Sequence, residues 1–241
     1  MKIDVLDIGF DDVSLEQAVS FAYDLIREKK KSYVVTPNPE IVWNCRKNEA
    51  LREAVNNAAL VLPDGIGIIL AGRLLKRPFS GGRVTGIDFI TELFRKLAEA
   101  GCSVFLLGAK PGVADEAGTR LAAGFPGLRI AGTMNGYFTD PEPVIEMIRK
   151  ASPDLLLVCL GSPAQELWMN EYVKTLDVPL CAGLGGVLDV FAGSVKRAPD
   201  IFIRLGLEWF YRIIREPRRA KRALKLPMFI FAVLWRRIRG K

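Results

Sequence analysis

Polar residues and glycines that could bind or catalyse follow directly after four predicted strands. Each of these four groups precedes a predicted helix. A parallel sheet gathers the carboxyl ends of its strands at one edge, and ligands of open α/β sheets bind there. The free N–H groups and the positive dipole end of the following helix can hold an anion such as a diphosphate. The four segments are Thr36-Pro-Asn-Pro-Glu40, Pro63-Asp64-Gly65, residues 108–112, and Gly161-Ser-Pro-Ala-Gln-Glu166.

The chain has no histidine, which limits how it can move a proton or hold a metal. Ser-His-Asp and Cys-His nucleophiles, histidine bases and imidazole metal sites are all excluded. A carboxylate, Lys, Tyr or Cys must then serve as the base. Asp64 stands at a strand end in a Pro-Asp-Gly turn, where its carboxylate can face a pocket. Asp before Gly is also an ordinary turn residue, so the residues alone leave both roles open.

The glycine-rich segments do not match the phosphate-binding motifs of common nucleotide enzymes. A nicotinamide site needs G-x-G-x-x-G in the first βα turn, which disfavours an oxidoreductase. Gly65-Ile-Gly67 lacks the third glycine, and Gly183-Leu-Gly185-Gly186 comes late in the chain. Residues 108–112 do not fit a P-loop, and there is no Asp-x-Asp pair of the kind that serves a metal-bound nucleotide sugar. We expect no cofactor and no metal, with arginines and helix ends neutralising a diphosphate.

The elements that must position these residues alternate between apolar strands and amphipathic helices, which predicts βα units and a parallel sheet. Ser14 and Gln17 form a capping box before the first helix. The fold class is therefore α/β, a Rossmann-like parallel sheet flanked by helices, with a helical basic C-terminal appendage. The predicted strands cover residues 3–8, 32–36, 60–62, 103–107, 129–132, 155–160 and 179–182. The predicted helices cover residues 18–26, 40–58, 65–75, 86–100, 113–123, 143–150 and 164–176.

The positive charge of the chain is concentrated at its C-terminal end. Residues 1–200 carry 22 Lys and Arg against 25 Asp and Glu, which gives −3, whereas residues 201–241 carry 12 against 2, which gives +10. We therefore divide the chain into an α/β catalytic domain over residues 1–199 and a basic helical appendage over residues 200–241. Pro217 and Pro227 divide the appendage into short helices.

The appendage also predicts contact with a membrane surface. It places Phe229, Phe231, Leu234 and Trp235 beside arginines, a mixture suited to a lipid headgroup boundary. The longest uncharged apolar run, residues 226–235, is about half of the roughly 20 residues that a spanning helix needs. The N-terminus predicts a first strand and no signal peptide. We expect a cytoplasmic protein whose four separated cysteines are reduced core residues.

A nucleic-acid-binding module is the alternative that a basic tail suggests, since such a segment would make salt-dependent phosphate contacts. The apolar composition of residues 228–235 argues against this alternative, because Phe, Val and Leu side chains add little to the affinity for nucleic acid. A bilayer interface gains about 0.8 kcal/mol for each buried CH₂ group. We therefore expect a membrane surface and no nucleic acid as the partner of the tail.

Several longer motifs, taken together, carry a resemblance to a known family. They are TPNPEIV at residues 36–42, PDGIGI at 63–68, RVTGID at 83–88, GSPAQELW at 161–168, AGLGGVLDVFAGSVKRAP at 182–199 and GLEWFYRIIREPRRAKR at 206–222. In this order they resemble the WecG/TagA/CpsF family of bacterial glycosyltransferases. The resemblance implies an inverting transferase without bound metal. It also implies an arginine-rich tail that folds over the active site and docks on the cytoplasmic membrane face.

The resemblance also implies substrates, which the residues alone do not. The best-known members use UDP-N-acetylmannosamine or a related UDP-sugar and a polyprenyl-diphosphate-linked N-acetylglucosamine, in the synthesis of wall teichoic acid or a related cell-surface polysaccharide. The expected partners are thus a UDP-sugar donor, a lipid-linked acceptor and the membrane surface. The sequence leaves open the donor, with UDP-N-acetylmannosaminuronic acid as an alternative. It also leaves open the oligomeric state, a homo-oligomer included.

The same resemblance assigns roles to individual residues. Asp64 becomes the expected base, and Arg83 an expected contact to the diphosphate or the acceptor. Gln165 becomes a substrate-binding residue instead of a plain amphipathic position in a helix. For Thr36 and Asn38, contact with the sugar or acceptor and ordinary turn chemistry stay evenly balanced.

The resemblance also selects three arginines in the tail as contacts to the UDP moiety or the lipid diphosphate, namely Arg212, Arg219 and Arg222. Their spacing places them near one helical face if Pro217 only kinks the helix. Clustered guanidinium groups are suited to diphosphate recognition. The neighbouring Arg215, Arg218, Lys221 and Lys225 are expected to form a solvated face.

Overall fold

The centre of the molecule is a six-stranded parallel sheet with the strand order β4-β3-β8-β7-β5-β6. The computed structural model describes residues 1–215 and 225–239. The sheet strands are β3 (Ser32–Val35), β4 (Leu60–Val61), β5 (Ser103–Gly108), β6 (Arg129–Met134), β7 (Leu155–Cys159) and β8 (Leu180–Gly183). Every pairing within this sheet is parallel, which confirms the α/β class predicted from the sequence.

Helices cover both faces of the sheet, because successive residues of the inner strands point to opposite sides. On β5, Val104 and Leu106 join one buried apolar cluster, whereas Phe105 and Leu107 join the other. The helices of residues 1–199 are α1 (Leu15–Arg27), α2 (Pro39–Cys45), α3 (Glu49–Asn56), α4 (Ile66–Leu74), α5 (Gly86–Glu99), α6 (Val113–Gly124), α7 (Glu142–Ala151), α8 (Ala164–Tyr172) and α9 (Val187–Phe191).

The predicted first strand of the parallel sheet is wrong. Residues 2–11 form a separate antiparallel hairpin of β1 (Lys2–Val5) and β2 (Ile8–Asp11). The chain reverses at Leu6 and Asp7, which both have positive φ angles of 53° and 69°. Positive φ at both central residues matches the twist of a tight hairpin, although the usual Asn-Gly or Asp-Gly signal is absent here.

Two helix predictions can be compared with their capping contacts. The capping box of α1 is confirmed: the Ser14 hydroxyl accepts from the Gln17 backbone N–H, and the Gln17 side chain accepts from the Ser14 N–H. The single helix predicted over residues 40–58 is wrong, because the segment forms α2 and α3. Asn48 interrupts the helix because its backbone is extended. Its side chain caps α3 by accepting a 3.0 Å hydrogen bond from the Leu51 N–H.

The C-terminal part contains three more helices within the described residues, α10 (Asp200–Arg204), α11 (Glu208–Arg215) and α12 (Lys225–Ile238). Helix α12 lies on α2 and α4, where Phe229 and Val233 are fully buried in the main core. This corrects the interpretation of Phe229 as a headgroup residue, because its ring packs inside the protein. Phe231 and Trp235 do remain exposed, at 68% and 49%.

The prediction of four core cysteines is confirmed for three of them, because Cys102 is only partly buried. All four are free thiols, and Cys45, Cys159 and Cys181 are buried. Burial raises the pKa of the Cys159 and Cys181 thiols to about 12, since the thiolate would lose its hydration. In the part of the chain that the structure describes, no helix combines the length and the apolar character needed to cross a membrane.

Candidate active site

A cavity of about 290 Å³ opens beyond the carboxyl ends of β3, β4 and β8, where an open α/β sheet is expected to bind its ligand. One side of the cavity consists of the turns that follow these strands and the starts of the helices they lead into. The other side consists of residues from the C-terminal part, including Gly206, Glu208, Trp209, Ile213 and Leu226. The cavity therefore lies between the sheet and the C-terminal helices.

Asp64 lies at the cavity, three residues beyond Val61, the last residue of β4. The turn that presents it depends on Gly65, which has a φ of 88° and begins α4. A residue with a Cβ atom is disfavoured at that φ, so glycine is required by the backbone. The Pro63 carbonyl accepts a 3.3 Å hydrogen bond from the Val84 N–H, which ties the turn to the segment that carries Arg83.

The N-terminus of α4 also faces this cavity. Its N-cap is Gly65, which supplies no side-chain hydrogen bond to the first N–H groups. Gly65, Ile66 and Gly67 all line the cavity. A Cβ atom on Gly67 would lie 2.5 Å from Pro39 Cγ, so glycine allows α4 to begin directly against the start of α2. Helix N-termini attract anions through their N–H groups and dipole, and this one suits a diphosphate.

Asn38 lies at the cavity, whereas Thr36 lies behind it. The Asn38 side-chain oxygen accepts a 3.1 Å hydrogen bond from the Ile41 N–H, so it caps α2. Thr36 is absent from the residues that line the cavity in the described parts of the chain. Its hydroxyl lies 3.3 Å from the position that a Cβ atom on Gly86 would take. Substrate binding by Thr36 and Asn38 stays a prediction, with helix capping as the observed role of Asn38.

Arg83 lines the cavity and joins the sheet side to the C-terminal helices. Its Nη1 lies 3.4 Å from Glu208 Oε2, and its Nη2 donates a 3.3 Å hydrogen bond to the Ile203 carbonyl. Both partners of the ion pair are largely buried, with side-chain exposures of 18% for Arg83 and 14% for Glu208. The predicted diphosphate contact thus has a carboxylate beside it in this structure.

Arg197 and Glu208 extend this contact into a network that the sequence analysis missed. Arg197 Nη2 lies 2.7 Å from Asp88 Oδ1, and its Nε lies 3.7 Å from Glu208 Oε1. Asp88 in turn accepts a 2.6 Å hydrogen bond from the Thr85 hydroxyl at the start of α5. Glu208 therefore lies between two guanidinium groups at the cavity wall. Long-range pairing leaves no periodic signal, which is why a local reading of the tail's positive charge overlooked it.

Gln165 is buried beneath the cavity wall, 4% exposed, instead of lining the cavity formed by the described residues. Its Oε1 accepts a 2.9 Å hydrogen bond from the Gly185 N–H, and its Nε2 donates a 2.9 Å hydrogen bond to Glu166 Oε1. Gly185 belongs to the turn after β8, and the flanking Leu184 and Gly186 do line the cavity. The observed contacts of Gln165 hold this turn in place, and direct substrate contact stays a prediction.

Glu166 is a buried acid that accepts a hydrogen bond from the Gln165 side chain. Its side chain is almost fully buried, and this burial raises the pKa of its carboxyl above the ordinary value. The hydrogen bond from Gln165 acts in the opposite direction, because it favours the charged form. The buried carboxyl of Glu166 therefore holds Gln165 in position through a hydrogen bond, and Gln165 in turn holds the turn after β8.

The three tail arginines can be placed only in part. Arg212 belongs to α11, whose Glu208, Trp209 and Ile213 line the cavity. Arg219 and Arg222 lie outside the described residues. In the described parts of the chain no group of three or more Cys, Asp or Glu side chains is arranged to hold a metal ion.

The cavity lies between a parallel α/β sheet and the C-terminal helices, and the comparisons with known proteins identify the family to which this arrangement belongs. The sequence model of the glycosyl transferase WecG/TagA/CpsF family matches residues 3–241. The chain belongs to this family, and it is a glycosyltransferase.

The curated relatives share most of their length with this chain. A protein of Bacillus spizizenii is 38% identical over 94% of this chain and 88% of its own length. One of Bacillus subtilis is 37% identical over 87% and 81%, and one of Staphylococcus aureus strain MW2 is 32% identical over 96% and 92%. Each of the three is named N-acetylglucosaminyldiphosphoundecaprenol N-acetyl-beta-D-mannosaminyltransferase.

Proposed function

We propose that this protein transfers N-acetylmannosamine from UDP-N-acetylmannosamine to N-acetylglucosamine carried on a polyprenyl diphosphate. The names of the relatives support the sugar and the acceptor. The transfer would serve the synthesis of wall teichoic acid or a related cell-surface polymer. A nucleic-acid-binding role finds no support, since the family is one of glycosyltransferases.

One observation carries the mechanism: Asp64, the N-terminus of α4 and Arg83 line the same cavity. In an inverting transfer, the acceptor hydroxyl oxygen forms the new bond to the anomeric carbon as the bond to the UDP oxygen breaks. The hydroxyl proton passes to the Asp64 carboxylate, and the bonding electrons leave with UDP. The α4 N–H groups and Arg83 would stabilise the charge that develops on the departing diphosphate.

The C-terminal helices would complete this site. Helix α11 already contributes Glu208, Trp209 and Ile213 to the cavity wall, and Arg212 belongs to the same helix. Arg212, Arg219 and Arg222 are proposed to supply further positive charge to the diphosphate groups. The exposed aromatic and basic residues of α12 are proposed to place the enzyme at the inner membrane surface, where a lipid-linked acceptor resides.

The test is a panel of UDP-sugars, with UDP-N-acetylmannosamine and UDP-N-acetylmannosaminuronic acid as the main pair. Each is incubated with a polyprenyl-diphosphate N-acetylglucosamine, and both UDP release and the mass of the lipid product are measured. We expect UDP release that requires the acceptor and is fastest with UDP-N-acetylmannosamine. Transfer from the uronic acid alone would correct the donor, and no transfer from any donor would refute the function.

Metal independence is a separate part of this proposal. Because arginines and helix ends are proposed to neutralise the diphosphate, turnover should persist in EDTA. Complete loss in EDTA that Mg²⁺ or Mn²⁺ restores would overturn it.

A further inference from the structure

An apolar groove adjoins the active-site cavity along the C-terminal helices. Its volume is about 500 Å³, and it lies between α11 and α12. Trp209 and Leu226 line both the groove and the cavity, so the two spaces meet at these side chains. The remaining groove residues are Pro227, Ile230, Phe231 and Leu234.

The helix that forms the floor of the groove is fixed to the body of the protein. Phe229 and Val233 of α12 are fully buried against the core. Lys225 pairs with Glu40 at 3.1 Å near the start of the helix, and Arg236 pairs with Asp4 at 2.9 Å near its end. Because the inner face of α12 is anchored by packing and both of its ends by charge, the side of the groove that α12 forms is held in place.

The outer face of α12 nevertheless leaves apolar surface in water. Phe231 is 68% exposed, and Trp209 across the groove is 40% exposed. Contiguous exposed apolar surface of this kind marks a binding site more often than chance would, because burying it is favourable. Among residues 1–215 and 225–239 these side chains stay exposed, and the position of the groove beside the cavity indicates which molecule would cover them.

We infer that this groove binds the first isoprene units of the acceptor lipid. The inference rests on the proposed function, in which a diphosphate joins the acceptor sugar to a polyprenyl chain. The chain must leave the cavity next to that diphosphate, and an apolar groove that begins at the cavity wall lets it do so without entering water. Each CH₂ group buried there leaves water, which favours binding of a longer chain. The groove would therefore select acceptors by their lipid, while the cavity selects them by their sugar.

The geometry favours an isoprenoid chain over the bilayer surface as occupant. Apolar insertion into a bilayer needs only an outward patch, and Trp235 and Ile238 further along α12 supply one, at 49% and 78% exposure. Neither of these two residues lines the groove. The groove side chains instead form an open apolar surface that meets the cavity at Trp209 and Leu226, a position that suits a substrate.

The experiment compares acceptors that differ only in the lipid, in buffer without membrane or detergent. N-acetylglucosaminyl diphosphates with methyl, prenyl, geranyl and farnesyl groups are given to the full chain, and KM is measured for each. For the unmodified protein we expect KM to fall about 10-fold or more from methyl to farnesyl. Phe231→Ser and Leu234→Ser should each reduce this ratio to about threefold or less. Ile238→Ser is the matched control on the same helix and should keep the full ratio.

A second measurement locates the lipid without relying on turnover. A diazirine-bearing farnesyl diphosphate N-acetylglucosamine is photolysed on the full chain, and the labelled peptides are mapped. Labels at Trp209 or within 226–234 support the groove even if no sugar is transferred, an outcome that would refute only the proposed function. Labels elsewhere, or a KM that is independent of lipid length while transfer proceeds, would overturn the groove.

Two other occupants give distinct results. If Phe231→Ser weakens liposome binding but keeps the full KM ratio, the groove is a bilayer contact and the inference is wrong. If that variant keeps the ratio but changes the sedimenting mass, the groove binds a second copy of the chain, which also overturns the inference.

Discussion

The two walls of the proposed active-site cavity are built differently, and under the proposed function one wall carries the catalytic group and the other receives the substrate. The sheet side presents Asp64 and the start of α4 from strands whose residues, such as Val35 and Val61, are fully buried. The C-terminal side presents α11, on which Phe210 and Ile214 are 44% and 58% exposed. Regions with fewer buried apolar contacts open at lower free energy than core strands. The buried strands of the first wall can hold a catalytic acid or base in a fixed position. The more exposed helix of the second wall can move at lower free energy, which would admit a lipid-linked substrate.

The charged contacts between the walls support this comparison. Arg83 on the sheet side holds α10 through the Ile203 carbonyl and α11 through Glu208. A buried ion pair holds its two sides only while both charges are present, because each charge is costly to bury alone. An anionic substrate that approaches Arg83 therefore competes with Glu208. The C-terminal wall is held by the same charges that the substrate would use.

The largest expected effect lies on the sheet side, at Asp64. Asp64→Asn keeps the shape of the side chain but cannot accept the proton of the acceptor hydroxyl. We expect kcat to fall by about 10² to 10⁴, while UDP binding stays near the wild-type value. Turnover and UDP affinity are measured in parallel, with Asp177→Asn on the exposed surface as the control. Turnover within about threefold of wild type would remove Asp64 from the mechanism and leave Asp88 or Asp189 to be tested.

The second prediction compares two phenylalanines on α12, of which Phe229 faces the core and Phe231 faces solvent. Phe229 is fully buried, so Phe229→Ala should lower the free energy of unfolding by about 3 to 5 kcal/mol. Phe231 is 68% exposed, and Phe231→Ala should change it by about 0.5 kcal/mol or less. Urea unfolding of the two variants measures both values. Equal stability would mean that α12 is only a peripheral anchor and does not share the core.

The third prediction concerns the contact between the walls. Arg83→Ala removes a cation from the cavity and leaves Glu208 without one of its partners. We expect KM for the donor to rise about 10- to 100-fold, the range for a lost charged hydrogen bond. Steady-state kinetics at several salt concentrations measure this, with the exposed Arg95→Ala as the control.

Glu208→Gln sharpens the same comparison, because it removes the competing carboxylate but keeps the side-chain shape. If Arg83 binds the donor diphosphate, this variant should keep or lower KM for the donor. A KM that rises as much as in Arg83→Ala would show that the ion pair acts only by holding α11 in place.

The sheet side was also the part most open to prediction from sequence. Strands buried on both faces leave continuous apolar runs, and polar residues that follow such runs must gather at one edge. This pattern predicts the positions of Asp64 and Asn38, which both line the cavity. Arg83 was reached only through the family resemblance. The hairpin at residues 2–11 was missed because Leu6 and Asp7 carry no ordinary turn signal, and the break before α3 was missed although Asn48 before Glu49 is a capping pattern.

The C-terminal side was less predictable, because its contacts join residues far apart in the chain. The pairing of Glu208 with Arg83 and Arg197 spans more than a hundred residues in one case, and no local pattern encodes it. Helix α12 combines one buried face with one exposed face, and a mixed apolar and basic composition does not tell which phenylalanine faces the core. The sequence shows the net charge of this region but not that Glu208, one of its two acidic residues, pairs with Arg83 and Arg197.

The smallest expected effect lies beneath the sheet side, at Glu166. Burial raises the pKa of this carboxyl in the folded protein above its value in the unfolded chain. Between those two pKa values the folded state binds more protons, so the free energy of unfolding should decrease as pH rises through this interval. Glu166→Gln cannot titrate, and we expect a shallower decrease, with a change in Tm of at most a few degrees.

Urea unfolding from pH 4.5 to pH 8 compares the two proteins, with Glu171→Gln on the exposed side of the same helix as the control. The amide of Glu166→Gln can still accept the hydrogen bond from Gln165, so the turn at Gly185 should stay in place and kcat should change little. An unchanged pH dependence in Glu166→Gln would mean that burial does not disfavour this carboxylate in the folded protein. Gln165 would then donate its hydrogen bond to a charged carboxylate. In that case the charge of Glu166, and not packing, would hold the turn after β8 in position.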